Sequence, residues 1–474
     1  MNGYDGSVMS SLNAMDPFHA YFGIAMDGSA IGLVTALYAV GQMIGCLFAN
    51  PASDLLGRRF GMSAGCTVII VGTIIQATTK NIGGFMGGRV LLGLGVTLVT
   101  TSAPVYIIEI AYPTWRGIGG GLFNVNAWYI GALTASWTTY GTNFLESNWS
   151  WRIPVIIQAI PAAIAGIGVW FLPESPRWLI MRQRDEQAKR ILVDYHGDGR
   201  EDSAVVQLEI EEIHASIAYA RGLAVGQKWW DFRILWSSRQ VVYRMWLVLL
   251  VTFFSQFIGG SISYFMPVVY EHLGLTSSKK QLLLTALSTV VSYVSGLVGC
   301  ATVDSFGRRN LFLWGTFLTG CVYLVMNVLA SMADGNISPA KGYTFIVMTF
   351  LYGVFWSFCW TPLQALYPSE ILRNDIRVKG MAAQGFLAGG ANFVNMYATP
   401  VALANIGWIT LTIFLIIHFI ELVAMYLTVV ETKGRSLEEL EEIFTARNPV
   451  KASLEKRKVV VERGVGVLSK DESL

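Results

Sequence analysis

The chain alternates long apolar runs with short polar breaks. Apolar runs fall at about 29–50, 61–79, 85–111, 117–141, 153–172, 245–272, 281–303, 310–331, 342–368, 380–403 and 406–429. Each is apolar all round rather than along one stripe, and each is long enough to cross a bilayer as a helix. A membrane β-strand would alternate apolar and polar residues instead. The pattern therefore predicts eleven spanning helices, with a further apolar scrap near residues 3–15. Two stretches interrupt it, at about 177–240 and 431–474. In the first, Val206, Ile210, Ile213 and Ile217 recur at helical spacing beside Glu209, Glu211 and Glu212. That is an amphipathic helix lying outside the membrane.

Composition agrees. Of 474 residues, 53% are apolar and 14% charged, against roughly 25% charged in a soluble protein. Soluble enzymes and disordered chains are excluded by this balance. A net charge of +2 gives no basis for a nucleic-acid partner. Cys46, Cys66, Cys300, Cys321 and Cys359 all sit in apolar runs without metal-ligand spacing, so no disulfide framework, metal or other cofactor is expected. No phosphate-binding GxxxxGK[ST] loop occurs, which leaves ATP out as a partner.

Charge placement orients the chain. With the 50–60 turn on the cytoplasmic side, 28 Lys and Arg fall in inside loops and 5 in outside loops, while Arg89 lies within a helix. This is the positive-inside bias of a multi-pass membrane protein.

The chain also repeats itself. Asp54–Arg59 (DLLGRR) matches Asp304–Arg309 (DSFGRR). Glu109 and Arg116 are seven apart, as are Glu370 and Arg377. Pro173–Arg177 (PESPR) faces Glu431–Arg435 (ETKGR). Three motifs in one order at nearly one offset indicate two homologous six-helix halves. The boundaries read 1–176, a linker 177–240 with short cytoplasmic helices, 241–430, and a tail 431–474. About 63 residues separate position 241 from Asp304, whereas 53 precede Asp54. The first helix is accordingly expected to be truncated.

Together with GRVLLGLG at 88–95 and PVYIIE at 104–109, these motifs resemble the sugar porters of the major facilitator superfamily over nearly the whole chain. The GYDGS start is most similar to the fungal lactose, cellodextrin and hexose permeases. The resemblance implies an all-α membrane protein of two pseudo-symmetric six-helix halves. It implies alternating-access transport of a mono- or disaccharide across the plasma membrane, with both termini cytoplasmic. Proton symport is the preferred mode. Facilitative uniport and a non-transporting sugar sensor of the same fold are the alternatives.

By the same resemblance, Asp5 and Arg89 carry proton coupling. A carboxyl beside a guanidinium in apolar surroundings can bind and release a proton as the pair closes and parts. Sugar contacts fall on Asn124, Gln256, Trp360 and Asn392, with Asn126 and Tyr264 as further choices. Amides both donate and accept, and aromatic faces cover apolar sugar faces. Asp54, Arg58, Glu109, Arg116, Glu174, Arg177, Asp304, Arg308, Glu370, Arg377, Glu431 and Arg435 form cytoplasmic ion pairs that latch the halves. The sequence departs from the family pattern at Ser255-Gln256, Gly260-Ser261 and Ala388-Gly389, where polar or aromatic anchors are replaced. Those departures point away from a standard hexose site. His418 and Glu421 are a possible second proton site on the last helix. Asn148 and Asn336 head N-x-S sequons on outside loops.

Overall fold

A computed structural model describes the chain apart from residues 26–27, 113–115, 225–231, 261–264, 267–268, 271–276, 333–338, 374–375, 436, 456, 463–464 and 471–474, and the backbone only of 50, 116–124, 219–224, 258–260, 339, 378, 437–438, 457–462 and 465–470. Nine helices among the described residues are long and apolar enough to cross a membrane. The N-terminal half comprises α1 (Asn2–Leu12), α2 (Asp16–Phe22), α3 (Ser29–Leu56), α4 (Arg58–Thr78), α5 (Ile82–Ile110), α6 (Arg116–Thr142), α7 (Trp149–Ile157) and α8 (Ala159–Gly168). The linker carries α9 (Pro176–Met181), α10 (Asp185–His196) and α11 (Ala204–Ala224). The C-terminal half comprises α12 (Arg239–Phe254), α13 (Ser278–Phe306), α14 (Arg308–Ser331), α15 (Pro339–Cys359), α16 (Leu363–Ile371), α17 (Arg377–Ile406) and α18 (Ile409–Thr428). The tail adds α19 (Leu437–Thr445), α20 (Pro449–Leu454) and an antiparallel hairpin of β1 (Arg457–Glu462) and β2 (Val465–Lys470). That hairpin is the one departure from an all-helical chain among the described residues.

Two apolar runs are broken where hydropathy shows no seam. The 342–368 run divides at Trp360-Thr361-Pro362, between α15 and α16. A residue ahead of proline avoids the α region, which ends the helix there. The 245–272 run passes from α12 into a π-helical turn at Ser255–Gly260. The 153–172 run likewise bends at Gln158, between α7 and α8, and Trp149–Phe171, Arg239–Phe257 and Ala340–Ile371 each remain long and apolar enough to cross a membrane as one unit.

Glycine sets the closest helix approaches. A Cβ on Gly3 of α1 would lie 1.7 Å from the Trp128 carbonyl oxygen of α6. A Cβ on Gly93 of α5 would lie 2.0 Å from the Tyr38 carbonyl oxygen of α3. Between the halves, α3 packs on α17 and α6 on α13. A buried apolar cluster joins Tyr4, Val8 and Leu12 of α1 to Trp151 of α7 and to Leu282 of α13.

The linker helices fold beneath the N-terminal half. Val206 and Ile217 of α11 are buried, with Ile210 and Ile213 against the same clusters. Buried His196 holds Glu209 Oε2 at 2.6 Å through Nδ1 and the Ile110 carbonyl at 3.1 Å through Nε2, tying the linker to the end of α5. The tail docks on the other half: Glu441 of α19 pairs with Arg244 at 3.3 Å and Arg373 at 2.9 Å.

Candidate functional site

The repeated motifs build the same structure twice at one end of the bundle. In the N-terminal half α3 ends at Gly57, whose φ of +105° suits glycine, and α4 starts at Arg58. The Arg58 guanidinium reaches Asp54 Oδ1 one turn back at 3.1 Å. It grips Glu109 of α5 with two bonds, Nε to Oε2 at 2.9 Å and Nη2 to Oε1 at 3.1 Å. Burial pushes the Asp54 carboxyl up from its ordinary range, while Arg58 draws it back down. Glu174 receives the Arg59 N–H at 3.4 Å and lies so close to Gly57 that a Cβ there would meet its Oε2 at 2.5 Å. Its negative charge thus sits on the first turn of α4, where helix N–H groups lack partners.

The C-terminal half repeats each step. Gly307 has a φ of +84° and Arg308 opens α14. Arg308 pairs with Asp304 at 2.7 Å and with Glu370 at 2.7 Å. Glu431 accepts the N–H groups of Arg308 at 2.9 Å and Arg309 at 3.1 Å. Truncating one partner of such a buried pair typically costs about 3–5 kcal/mol. The second arginine of each motif was not singled out by sequence, yet it has its own task. Arg59 donates to the carbonyls of Val169 and Trp170, and Arg309 to those of Tyr426 and Val429. Each clamps the C-terminal end of the last span of its half.

The remaining charges are placed less tightly. Arg177 lies near enough to Asp54 to favour its charged form. Arg377 donates to the Leu372 carbonyl at 3.0 and 3.2 Å rather than to Glu370. Arg435 bonds the Ser453 and Glu455 carbonyls and lies 4.0 Å from Glu439. The side chain of Arg116 is outside the described residues. Among the described residues, every ion pair of these motifs runs within one half.

Asp5 and Arg89 come together in the membrane. Asp5 is fully buried in α1 and Arg89 nearly so in α5. Arg89 Nη1 donates to the Asp5 carbonyl oxygen at 3.3 Å, and its guanidinium lies 4.8 Å from the centre of the Tyr38 ring. Neither carboxylate oxygen of Asp5 has a hydrogen-bond partner. The bond between the two residues thus goes to the backbone and leaves the acid group itself open.

The described polar candidates lie on α6, on the 255–260 turn, just after α15 and on α17. Gln256 lies on the π-helical turn, half-buried, with Nε2 3.5 Å from Ser255 Oγ. Asn392 of α17 is half-buried. Asn395, one turn further on the same face, donates to the carbonyls of Gln256 at 2.7 Å and Phe257 at 3.2 Å. Asn126 accepts from Tyr293 OH of the opposite half at 2.6 Å. Beside it Tyr129 OH donates to Ser357 Oγ at 2.7 Å and lies 3.2 Å from Thr361 Oγ1. Trp360 is fully buried, stacked on Trp356 at 5.2 Å and edge-on to Phe312 at 4.8 Å. Trp356 is the half-exposed member of that stack. The side chain of Asn124, and the whole of Tyr264 and Asn336, lie outside the described residues, while Asn148 is the exposed N-cap of α7. Asn395, Tyr129, Tyr293 and Trp356 escaped the sequence reading. The i, i+3 spacing of Asn392 and Asn395 was the one available signal.

Comparison with known proteins fits this geometry. Residues 1–444 match the family described as "Sugar (and other) transporter". An MFS-type transporter of Aspergillus cristatus, criB, is 29% identical over 96% of this chain and 93% of its own. A probable quinate permease of Aspergillus fumigatus is 29% identical over 94% of this chain and 85% of its own. A high-affinity glucose transporter of Kluyveromyces lactis is 27% identical over 95% and 83%. Among solved structures, the partially occluded inward-open xylose transporter XylE of E. coli superposes with a TM-score of 0.75 at 21% identity, covering 92% of this chain and 96% of its own. XylE described as a proton:xylose symporter, bound to 6-bromo-6-deoxy-D-glucose, gives 0.73 at 23%, with 93% and 96% covered. The chain is therefore a multi-pass integral membrane protein and not an enzyme, and it belongs to the sugar (and other) transporter family of the major facilitator superfamily.

Proposed function

We propose that this protein moves a mono- or disaccharide across the plasma membrane by alternating access in symport with a proton, with both termini cytoplasmic. The observation that carries the proton is Asp5. A fully buried carboxyl whose oxygens have no hydrogen-bond partner, beside Arg89 that donates to its backbone carbonyl, is poised to take up a proton. When Arg89 turns to the carboxylate, its fixed charge displaces that proton.

The sugar lies between the halves, held by the amides of Asn126, Gln256 and Asn392 and by Asn124 and Tyr264. The aromatic face comes from the Trp360 stack, whose half-exposed member Trp356 meets the sugar in this conformation. The twelve cytoplasmic charges bias which side opens. The enclosed pairs of this structure stay within each half, so the bias comes from further pairs made across the seam between the halves; such exposed pairs contribute only about 0–1 kcal/mol each, but a network of them shifts a two-state population. The names of the glucose, quinate and xylose relatives support a small polyhydroxylated substrate.

Uptake of radiolabelled sugars into proteoliposomes under an imposed proton gradient tests the reading. Asp5→Asn is expected to abolish concentrative uptake while sparing counterflow exchange. Wild-type uptake that a protonophore leaves unchanged would establish uniport instead. No uptake of any sugar, together with failure to restore growth in a transport-deficient host, would favour the sensor.

A further inference from the structure

A second buried acid lies in the C-terminal half, on the helix that closes the bundle. Glu421 of α18 is fully buried, and no described basic side chain bonds its carboxylate oxygens. His418, three residues earlier and so on the same helix face, holds the Phe414 carbonyl at 2.9 Å through Nδ1, while its buried Nε2 is unpartnered. From α14 the site is faced by Thr316, whose hydroxyl is directed at the Glu421 carboxyl, and by Tyr323, whose ring centre is 4.5 Å from that of His418. From α15 it is faced by Tyr352.

No described cation answers the acid. Arg309, on the first turn of α14, is committed to the Tyr426 and Val429 carbonyls and lies about two helical turns from Thr316. The charged residues of α17, which also packs on α18, are Arg377 and Lys379 at its start. The 255–260 turn contributes none. A buried polar side chain within a bundle usually bonds a neighbouring helix, and here the carboxyl is met from α14 by the neutral Thr316 hydroxyl, while the buried Nε2 of His418 is unpartnered. An ionised carboxylate without a charged partner in this environment costs several kcal/mol. A closed site lined by these groups takes one ligand chemistry, a proton.

We propose that Glu421, with His418 beside it, is a proton-binding site of the C-terminal half, separate from the one at Asp5 and loaded in this conformation. The assignment does not depend on which sugar is carried or on symport at Asp5.

Infrared difference spectroscopy of the purified full-length chain in lipid nanodiscs tests it. Wild type should show a protonated-carboxyl stretch that Glu421→Gln loses and Asp5→Asn keeps. Glu421→Asp should retain that band at a shifted frequency, which covers the case in which the amide variant folds poorly. His418→Asn should move the pH at which the band bleaches. Identical wild-type and Glu421→Gln spectra, with both proteins folded by circular dichroism, would overturn the proposal. So would a Glu421 signal that is carboxylate at every pH examined.

Discussion

One absent methyl group decides how α1 meets α6. The position a Cβ would take on Gly3 is 1.7 Å from a backbone oxygen, and the reciprocal Gly131 position is 2.5 Å from the Tyr4 nitrogen. Backbone cannot rotate aside as a side chain can, so Gly3→Ala must push α1 and its Asp5 away from the bundle. We expect a loss of about 1–3 kcal/mol or more, read as a lower thermal unfolding midpoint in detergent. Gly87→Ala is the control: it is exposed on α5 with no atom within 4 Å, and a helical alanine there should hold the midpoint or raise it. Equal midpoints for the two variants would show that α1 is not held by this contact. At this scale the charged residues were readable from sequence and the amides were not. Asp5 and Arg89 stand out because a charge in an apolar run needs a reason wherever it points. Asn392 and Asn395 have the same composition and neighbouring positions, and only packing distinguishes the half-exposed one from the one that bonds backbone.

That packing matters most at the π-helical turn, where a helix loses its regular ladder and its carbonyls need donors from elsewhere. Asn395 supplies them to Gln256 and Phe257, and its own Oδ1 is fixed by Thr399 Oγ1 at 2.9 Å. Asn395→Ala leaves two carbonyls unsatisfied, a cost of about 1–3 kcal/mol. It should also loosen the turn that carries Gln256, raising KM for the transported sugar more than it lowers kcat. Asn395→Asp keeps the size but loses the amide donors, and should be the worse of the two. Uptake kinetics beside thermal melts separate these effects; unchanged KM in both variants would remove Asn395 from the site's support. The helices themselves were legible because spanning a bilayer demands long apolar runs. Their breaks were not. Pro51, Pro104 and Pro400 lie inside helices without ending them, whereas Pro362 follows one that ends. Proline alone does not say which, because neighbouring helices can satisfy the groups it frees.

Across the whole molecule, the repeat made the two halves and their matching charge clusters visible, since each half builds its cluster from local sequence. How the halves meet was not visible, because that depends on which of two arrangements is populated. In this structure the described ion pairs of the repeated motifs stay within each half. Among the described residues, bonds beyond those of Asn126 and Tyr129 join the halves at the opposite end of the bundle. There Ser278 Oγ donates to Asp16 Oδ2 at 2.9 Å, and Gly28 N–H to the Pro400 carbonyl at 3.2 Å. The proposed alternating access requires this end to part in each cycle, so a covalent tie across it should stop transport without touching the proposed sugar or proton sites. Cysteines at positions 16 and 278 would occupy two side chains already in contact, close enough for a bridge. Oxidising the Asp16→Cys, Ser278→Cys double variant should abolish uptake, and reductant should restore it. Each single variant should be indifferent to both treatments, which also controls for the exposed native Cys321. A fully bridged protein that still takes up sugar would mean that this contact does not gate this end of the bundle, and that the halves rock about some other seam.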